Sequence, residues 1–217
     1  MKPSITRTCL KQPCIISIVF IALLFVATAQ VDANTLTTNK YQGLLLNPAK
    51  QIKNYPLINH NGKAVAFPSA NGNFQLIFFG YTSCPDICPT TLHKIKQVIE
   101  SLGDNSRVNY NFVSIDVERD TPNQLKDFVT YFHPKITGFT GNIHNIKAVE
   151  KEFGILTRKF QGTSALAYKL EHSVFMYLID PEGKLVLMYP GSTMPNQIVS
   201  DLNTLLSQDK QKHTKEN

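Results

Sequence analysis

Two cysteines, Cys84 and Cys88, lie four positions apart and are the residues best suited to carry chemistry. Two thiols at this spacing can chelate a soft metal ion or form a redox pair. The apolar, β-forming run at residues 74–79 predicts a buried strand just before them. Pro89 suits the first position of a helix, and apolar residues then recur at helical spacing until Gly103. The cysteines are therefore predicted at a strand-to-helix junction, where the helix N-terminus stabilises thiolate.

The first residues of the chain indicate the cellular compartment in which these cysteines are located. Three basic residues precede an uncharged apolar stretch at residues 15–29, and small residues suited to signal cleavage follow. Residues 1–33 are therefore predicted to be a signal peptide or an N-terminal membrane anchor, with residues 34–42 as a polar leader. Cleavage is favoured because about 15 apolar residues are short against the roughly 20 that span a bilayer. In both cases the rest of the chain is predicted to be exported to the periplasm, free or tethered to the inner membrane.

In an exported protein, two nearby cysteines can form a structural disulfide or serve as a functional pair. A structural disulfide is the ordinary outcome in an oxidising compartment. We favour a functional pair, because a disulfide across so short a loop removes little entropy from the unfolded chain. Cys9 and Cys14 belong to the predicted leader, so cleavage would leave only Cys84 and Cys88.

Length and charge set a broad frame for the rest of the chain. The 217 residues are enough for one globular domain once the leader is removed. The formal net charge is +6, and it falls to +3 without the three basic residues of the leader. This balance gives no reason to expect nucleic acid as a partner. Residues 208–217 are polar and lysine-rich, and we expect them to form a solvated tail.

Strand and helix patterns alternate along the predicted domain. Asn61-Gly62 between two apolar runs predicts an N-terminal β-hairpin. After a predicted strand at 108–117, Thr121 is placed to cap a helix, with Gln124 in capping-box register. The remaining predicted elements are a helix over residues 142–153, a hairpin over 173–189 and a helix from about Pro195. This order predicts an α/β fold with a central mixed sheet flanked by helices.

Several segments, taken together, resemble the Sco/SenC family of copper chaperones. They are YTSCPDICP at residues 81–89, SIDVERDTP at 114–122, GFTG at 138–141, EHS at 171–173 and YLIDPEG at 177–183. Their order and spacing match the family over residues 43–207. The resemblance implies a thioredoxin-like fold for that span. It also implies a role in cytochrome c oxidase assembly, in which copper is supplied, or thiol redox state adjusted, at the binuclear copper site of subunit II.

The resemblance also implies the ligands of the copper ion, which are Cys84, Cys88 and His172. Two thiolates and an imidazole form a soft donor set that suits Cu(I) and, with a further weak ligand, Cu(II). Structural zinc normally takes four protein ligands, so a set of three favours copper. The sequence pattern alone favours a structural role for His172, because a histidine before an apolar strand is more often a hydrogen-bonded core or edge residue.

Three carboxylates near the motifs are candidates to contact the ligands or a partner protein: Asp86, Asp116 and Glu171. Asp86 lies between the cysteines and has an alternative role as a turn residue. Asp116 ends a predicted strand, and its alternative is local ion pairing and helix capping together with Arg119 and Asp120. Glu171 precedes His172 and is an anionic candidate to tune that ligand.

Two enzyme classes remain as alternatives to the chaperone. A periplasmic thiol-disulfide reductase would use Cys84 and Cys88 on the cysteines of the oxidase subunit or of other exported proteins. Measuring the copper stoichiometry after mild reduction distinguishes this reductase from a chaperone. Other copper-handling proteins are further candidate partners of a chaperone. A peroxidase of the peroxiredoxin type needs threonine and proline, three and seven residues before its cysteine. This chain has Tyr81 and Ile77 there, which argues against a peroxidase.

Overall fold

The computed structural model describes residues 40–69, 71–103, 107–161 and 168–215. The predicted signal or anchor at residues 1–33 lies outside the described residues, as does most of the polar leader. Within the described ranges, no helix is both long enough and apolar enough to cross a membrane.

The described residues form a mixed α/β structure around one large sheet. In chain order the elements are β1 (Leu44–Gln51), β2 (Tyr55–Asn59), β3 (Ala64–Phe67), β4 (Phe74–Gly80), α1 (Ile87–Leu102), β5 (Val108–Ser114), α2 (Pro122–Phe132), β6 (Ile136–Thr140), α3 (Ile143–Phe153), β7 (Thr157–Gln161), β8 (Tyr168–His172), β9 (Phe175–Ile179), β10 (Lys184–Pro190) and α4 (Pro195–Lys215). Eight strands pair in the order β1-β10-β9-β4-β5-β6-β2-β3. Strands β7 and β8 form a separate two-stranded sheet.

Strand β4 is the centre of the large sheet. It pairs in parallel with β5 and antiparallel with β9, and all seven of its residues are buried. Phe78 packs on one face with Leu92 of α1, while Ile77 and Phe79 pack on the other face with Phe153 of α3. Because side chains alternate across a strand, these two cores hold β4 from both sides. The strand is therefore a rigid base for the loop that follows it.

The turns and helix caps predicted from local sequence signals are present in the structure. Strands β2 and β3 pair as a hairpin, and Gly62 in its turn has a φ of 76°. Glycine suits that left-handed conformation because it has no Cβ. Thr121 and Gln124 form both hydrogen bonds of the predicted capping box, with Pro122 at the start of α2. Helix α3 ends at a left-handed Gly154.

The structure differs from the sequence-based prediction at the start of one helix, at the end of another and in four strands. Helix α1 begins at Ile87 rather than at Pro89, so Cys88 lies in its first turn. Residues 208–215, predicted as a solvated tail, continue α4. The extension has a physical cause, because Asp209 is buried and accepts a hydrogen bond of 2.6 Å from Nη1 of Arg107. Strands β1, β6, β7 and β8 were not predicted.

Candidate metal centre

Cys84 and Cys88 lie in the connection from β4 into α1, as the sequence predicts. Both are free thiols, Cys84 partly buried and Cys88 fully buried. The residue at the end of β4 is Gly80, and a Cβ built there would lie 2.6 Å from Sγ of Cys88. A residue with a Cβ atom does not fit at that distance unless its neighbours shift. Glycine at this position therefore makes the room in which Cys88 is packed.

The two thiols have opposite acidities. The pKa of Cys84 is lowered to about 5, chiefly by a hydrogen bond from the Cys88 thiol, against the opposing effect of burial. Backbone hydrogen bonds from Cys88 and Asp86 lower it further, as does nearby His172 when its ring is protonated. The same thiol–thiol hydrogen bond and burial raise the pKa of Cys88. At neutral pH the pair is therefore one thiolate, on Cys84, and one thiol, on Cys88.

His172 is the last residue of β8 and lines the same cleft as Cys84. The cleft has a volume of about 260 Å³ and includes Asp86 and Glu171 in its wall. Nδ1 of His172 lies 2.9 Å from the carbonyl oxygen of Ser173. When Nδ1 donates this hydrogen bond, Nε2 keeps the lone pair that a metal needs. Burial lowers the pKa of His172, which favours the neutral ring.

The structure brings His172 and Cys84 to one cleft, but it does not gather three ligands into a compact group. In the residues that the structure describes, no set of three or more His, Cys, Asp or Glu side chains is arranged to hold a metal ion. Cys84 and His172 are nevertheless close enough to interact electrostatically. The predicted ligand set of Cys84, Cys88 and His172 stays a prediction.

Asp120 supports the cysteine loop, a role that the sequence analysis missed. Its carboxylate accepts hydrogen bonds from the backbone N–H of Thr82 at 3.0 Å, from the Thr82 hydroxyl at 2.6 Å and from the Ser114 hydroxyl at 2.6 Å. Asp120 is 2% exposed, and burial raises its pKa. The segment between β5 and α2 thus holds the loop that carries Cys84. The spacing from Asp120 to Thr82 is 38 residues, so no local pattern reveals the contact.

The three predicted carboxylates have different surroundings. Asp86 is exposed at the N-terminus of α1 and makes no capping hydrogen bond with its side chain. Asp116 is buried and forms the predicted local ion pair with Arg119. Glu171 is exposed on β8 and lines the cleft. Contacts of these carboxylates with a bound ion or a partner remain predictions.

The fold and the cysteine pair define a thioredoxin-like protein with two free thiols at a strand-to-helix junction, as predicted. Residues 45–207 match the sequence profile of the SCO1/SenC family, and the chain belongs to that family.

Relatives with known names and structures agree with this assignment. A "SCO2-like protein" of Rickettsia felis is 39% identical over 150 residues, which cover 68% of this chain and 73% of the relative. The structure of Bradyrhizobium japonicum ScoI with copper bound is 34% identical, with a TM-score of 0.66, covering 71% of this chain and 99% of that one. The structure of BsSco, described as having a disulfide switch and as a member of the Sco family of cytochrome c oxidase assembly proteins, is 26% identical. Its TM-score is 0.59, and the match covers 77% of this chain and 97% of BsSco.

Proposed function

We propose that this protein is a copper-binding chaperone for the assembly of cytochrome c oxidase, acting on the binuclear copper site of subunit II. The observation that carries the proposal is the cleft that Cys84 shares with His172, together with the hydrogen bond from the buried Cys88 thiol to Cys84. Membership of the SCO1/SenC family supports it, as does the copper-bound structure of the B. japonicum relative. The oxidase as target is supported by the family description given for BsSco.

The donor set fits copper as cargo. The Cys84 thiolate and the His172 imidazole are already in the protonation states that bind a metal. Cys88 holds a proton, which the ion has to displace. Two thiolates suit Cu(I), and the added imidazole nitrogen suits Cu(II). Copper binding should therefore release about one proton per ion at neutral pH.

A second function, thiol-disulfide reduction, is supported by the unequal thiols. Cys84 is a partly exposed thiolate, the form that attacks a disulfide. Cys88 is a buried thiol beside it. Once it loses its proton, it would attack Cys84 in the mixed disulfide with the partner, closing the Cys84–Cys88 disulfide and releasing the partner's cysteines as thiols. The disulfide switch described for BsSco supports such a reaction in a relative.

Anaerobic titration of the purified protein with Cu(I) and with Cu(II), with thiols counted at each step, tests the chaperone. We expect one copper per chain in the reduced protein and none in the disulfide form. Cys84→Ser and Cys88→Ser should each nearly abolish tight binding without unfolding the domain, because each removes a thiolate ligand. Copper affinity equal to wild type in both variants would overturn the ligand assignment.

We also propose that the first residues export the chain, so that the domain works in the periplasm, either free or tethered to the inner membrane. The proposal is supported by the basic residues, apolar stretch and small residues of positions 1–33. Fractionation of cells that express the full chain tests it. A cytoplasmic domain with its first residues intact would contradict it.

A further inference from the structure

The strand that carries His172 belongs to a small appended sheet. Strands β7 and β8 pair with each other from Thr157↔His172 to Gln161↔Tyr168, and the large sheet does not include them. Main-chain pairing therefore sets the register of β8 against β7 but not its position on the rest of the protein. Contacts outside that pairing have to fix the position of His172 relative to the cysteines.

One end of the appended sheet is held by a cluster of three residues, which we call the tyrosine clamp: Asp116, Arg119 and Tyr168. The Tyr168 hydroxyl donates a hydrogen bond of 2.5 Å to Oδ1 of Asp116, and Nε of Arg119 donates to Oδ2 of the same carboxylate. Nη1 of Arg119 donates to the carbonyl oxygen of Tyr168 at 3.2 Å. The guanidinium also lies 3.8 Å from the centre of the Tyr168 ring. Each member of the clamp thus contacts the other two.

The clamp is built on the part of the protein that holds the cysteines. Asp116 follows β5, and its neighbour Ile115 donates a backbone hydrogen bond of 2.9 Å to Gly80, the last residue before the cysteine loop. The guanidinium of Arg119 also lies 5.7 Å from the ring of Tyr81, which opens that loop. The side chain of Asp116 is only 2% exposed, so its bonds to the clamp are shielded from water. The contacts of Tyr168 therefore register β8 against the cysteine loop.

The other end of β8 has its own attachment. Backbone N–H of Ser173 donates to the carbonyl of Leu156, and N–H of Leu156 donates to the Ser173 hydroxyl, both at 3.3 Å. The Thr157 hydroxyl donates to Glu150 of α3 at 3.1 Å. These bonds hold the end of β8 that carries His172, while the clamp holds the other end of the same strand, four residues away.

We propose that the tyrosine clamp positions His172 for a metal ion held by Cys84 and Cys88. The proposal rests on the proposed function, in which His172 is a copper ligand. Asp116 and Arg119 are positioning residues that act through Tyr168 and β8. Neither of them is proposed as a ligand of the ion.

Tyr168→Phe is the sharpest test, because it removes only the hydroxyl and leaves the ring and the Asp116–Arg119 pair. Tyr131→Phe is the matched control, since that tyrosine is 84% exposed on α2. Amide hydrogen exchange of the copper-free protein should be at least about threefold faster in β8 of Tyr168→Phe and unchanged in the control. The dissociation constant for Cu(II) should rise about tenfold, and that for Cu(I) should change less than about twofold, because the thiolates alone hold Cu(I).

Three results would separate the ideas. Unchanged exchange in β8 of Tyr168→Phe would overturn the clamp as a support of that strand. Faster exchange with an unchanged Cu(II) affinity would overturn its role in positioning His172. A wild-type protein that binds no copper would overturn the proposed function, and the clamp would still be decided by amide exchange.

Discussion

Removing the thiol of Cys88 should change the acidity of Cys84 more than any other single substitution. The pKa of Cys84 is lowered from 9.0 to about 5, and the hydrogen bond from Cys88 is the largest cause. In Cys88→Ala the backbone N–H groups and His172 remain, but the side-chain donor is lost. We therefore expect the pKa of Cys84 to rise by about 2 pH units or more.

The size of the change decides which measurement is useful. A thiol with a pKa of about 5 is roughly 99% thiolate at pH 7, whereas one with a pKa of 9 is about 1% thiolate. A more basic thiolate is also a better nucleophile, with a Brønsted slope of about 0.4–0.5. The two effects oppose each other, so alkylation rates at pH 7 should differ by no more than about fivefold between wild type and variant. The midpoint of the rate against pH is the informative quantity.

The assay is alkylation of Cys84 by iodoacetamide from pH 4 to pH 10, followed by mass spectrometry. Wild type should show a midpoint near pH 5, because thiolate is present above the lowered pKa and lost below it. Cys88→Ser is the matched control, since its hydroxyl can still donate, and its midpoint should lie between those of wild type and Cys88→Ala. A midpoint that stays near pH 5 in Cys88→Ala would refute the hydrogen bond from Cys88 as the cause.

Three further substitutions have expected outcomes. His172→Ala should keep the cysteine redox couple but weaken retention of Cu(II) far more than of Cu(I), and a chaperone should then fail to support oxidase assembly in copper-limited cells. Full copper loading of the oxidase with that variant would favour the reductase instead. Asp120→Asn disrupts a site of three hydrogen bonds and should lower the free energy of unfolding by about 1–3 kcal/mol in urea titrations. The exposed Asp127→Asn, its control, should stay within about 0.5 kcal/mol of wild type. Gly80→Ala places a methyl group 2.6 Å from Sγ of Cys88 and should cost about 1–3 kcal/mol by the same measurement.

The parts of the fold that sequence predicted well are those with local causes. The Thr121–Gln124 capping box and the turn at Asn61-Gly62 depend on residues that are close along the chain, and both formed. Strand β1 depends instead on pairing with β10, about 140 residues away, and its residues are mostly exposed. Strand β8 alternates partly buried and exposed residues, and the exposed ones are Lys169 and Glu171. Because it contains no apolar run, the sequence does not reveal it as a strand.

The candidate site divides in the same way. Cys84 and Cys88 are visible because their types and spacing are chemical signals in themselves. His172 entered through resemblance, since an isolated histidine carries no such signal. Asp120 and Tyr168 were missed as supports of the site, because their partners are 38 and 52 residues away and become neighbours only in the folded chain.

The separation of β7 and β8 from the large sheet has a consequence for the electrochemistry of a bound ion. Under the proposed function, the thiolates belong to the rigid base formed by β4 and α1, and the imidazole belongs to the appended sheet. Cu(I) stability then depends on the base, whereas Cu(II) stability also depends on how well β8 presents His172. A tenfold loss of Cu(II) affinity at constant Cu(I) affinity raises the one-electron reduction potential by about 59 mV. Changes in the attachment of β8 would thus tune the potential of the copper ion without altering any of its ligands.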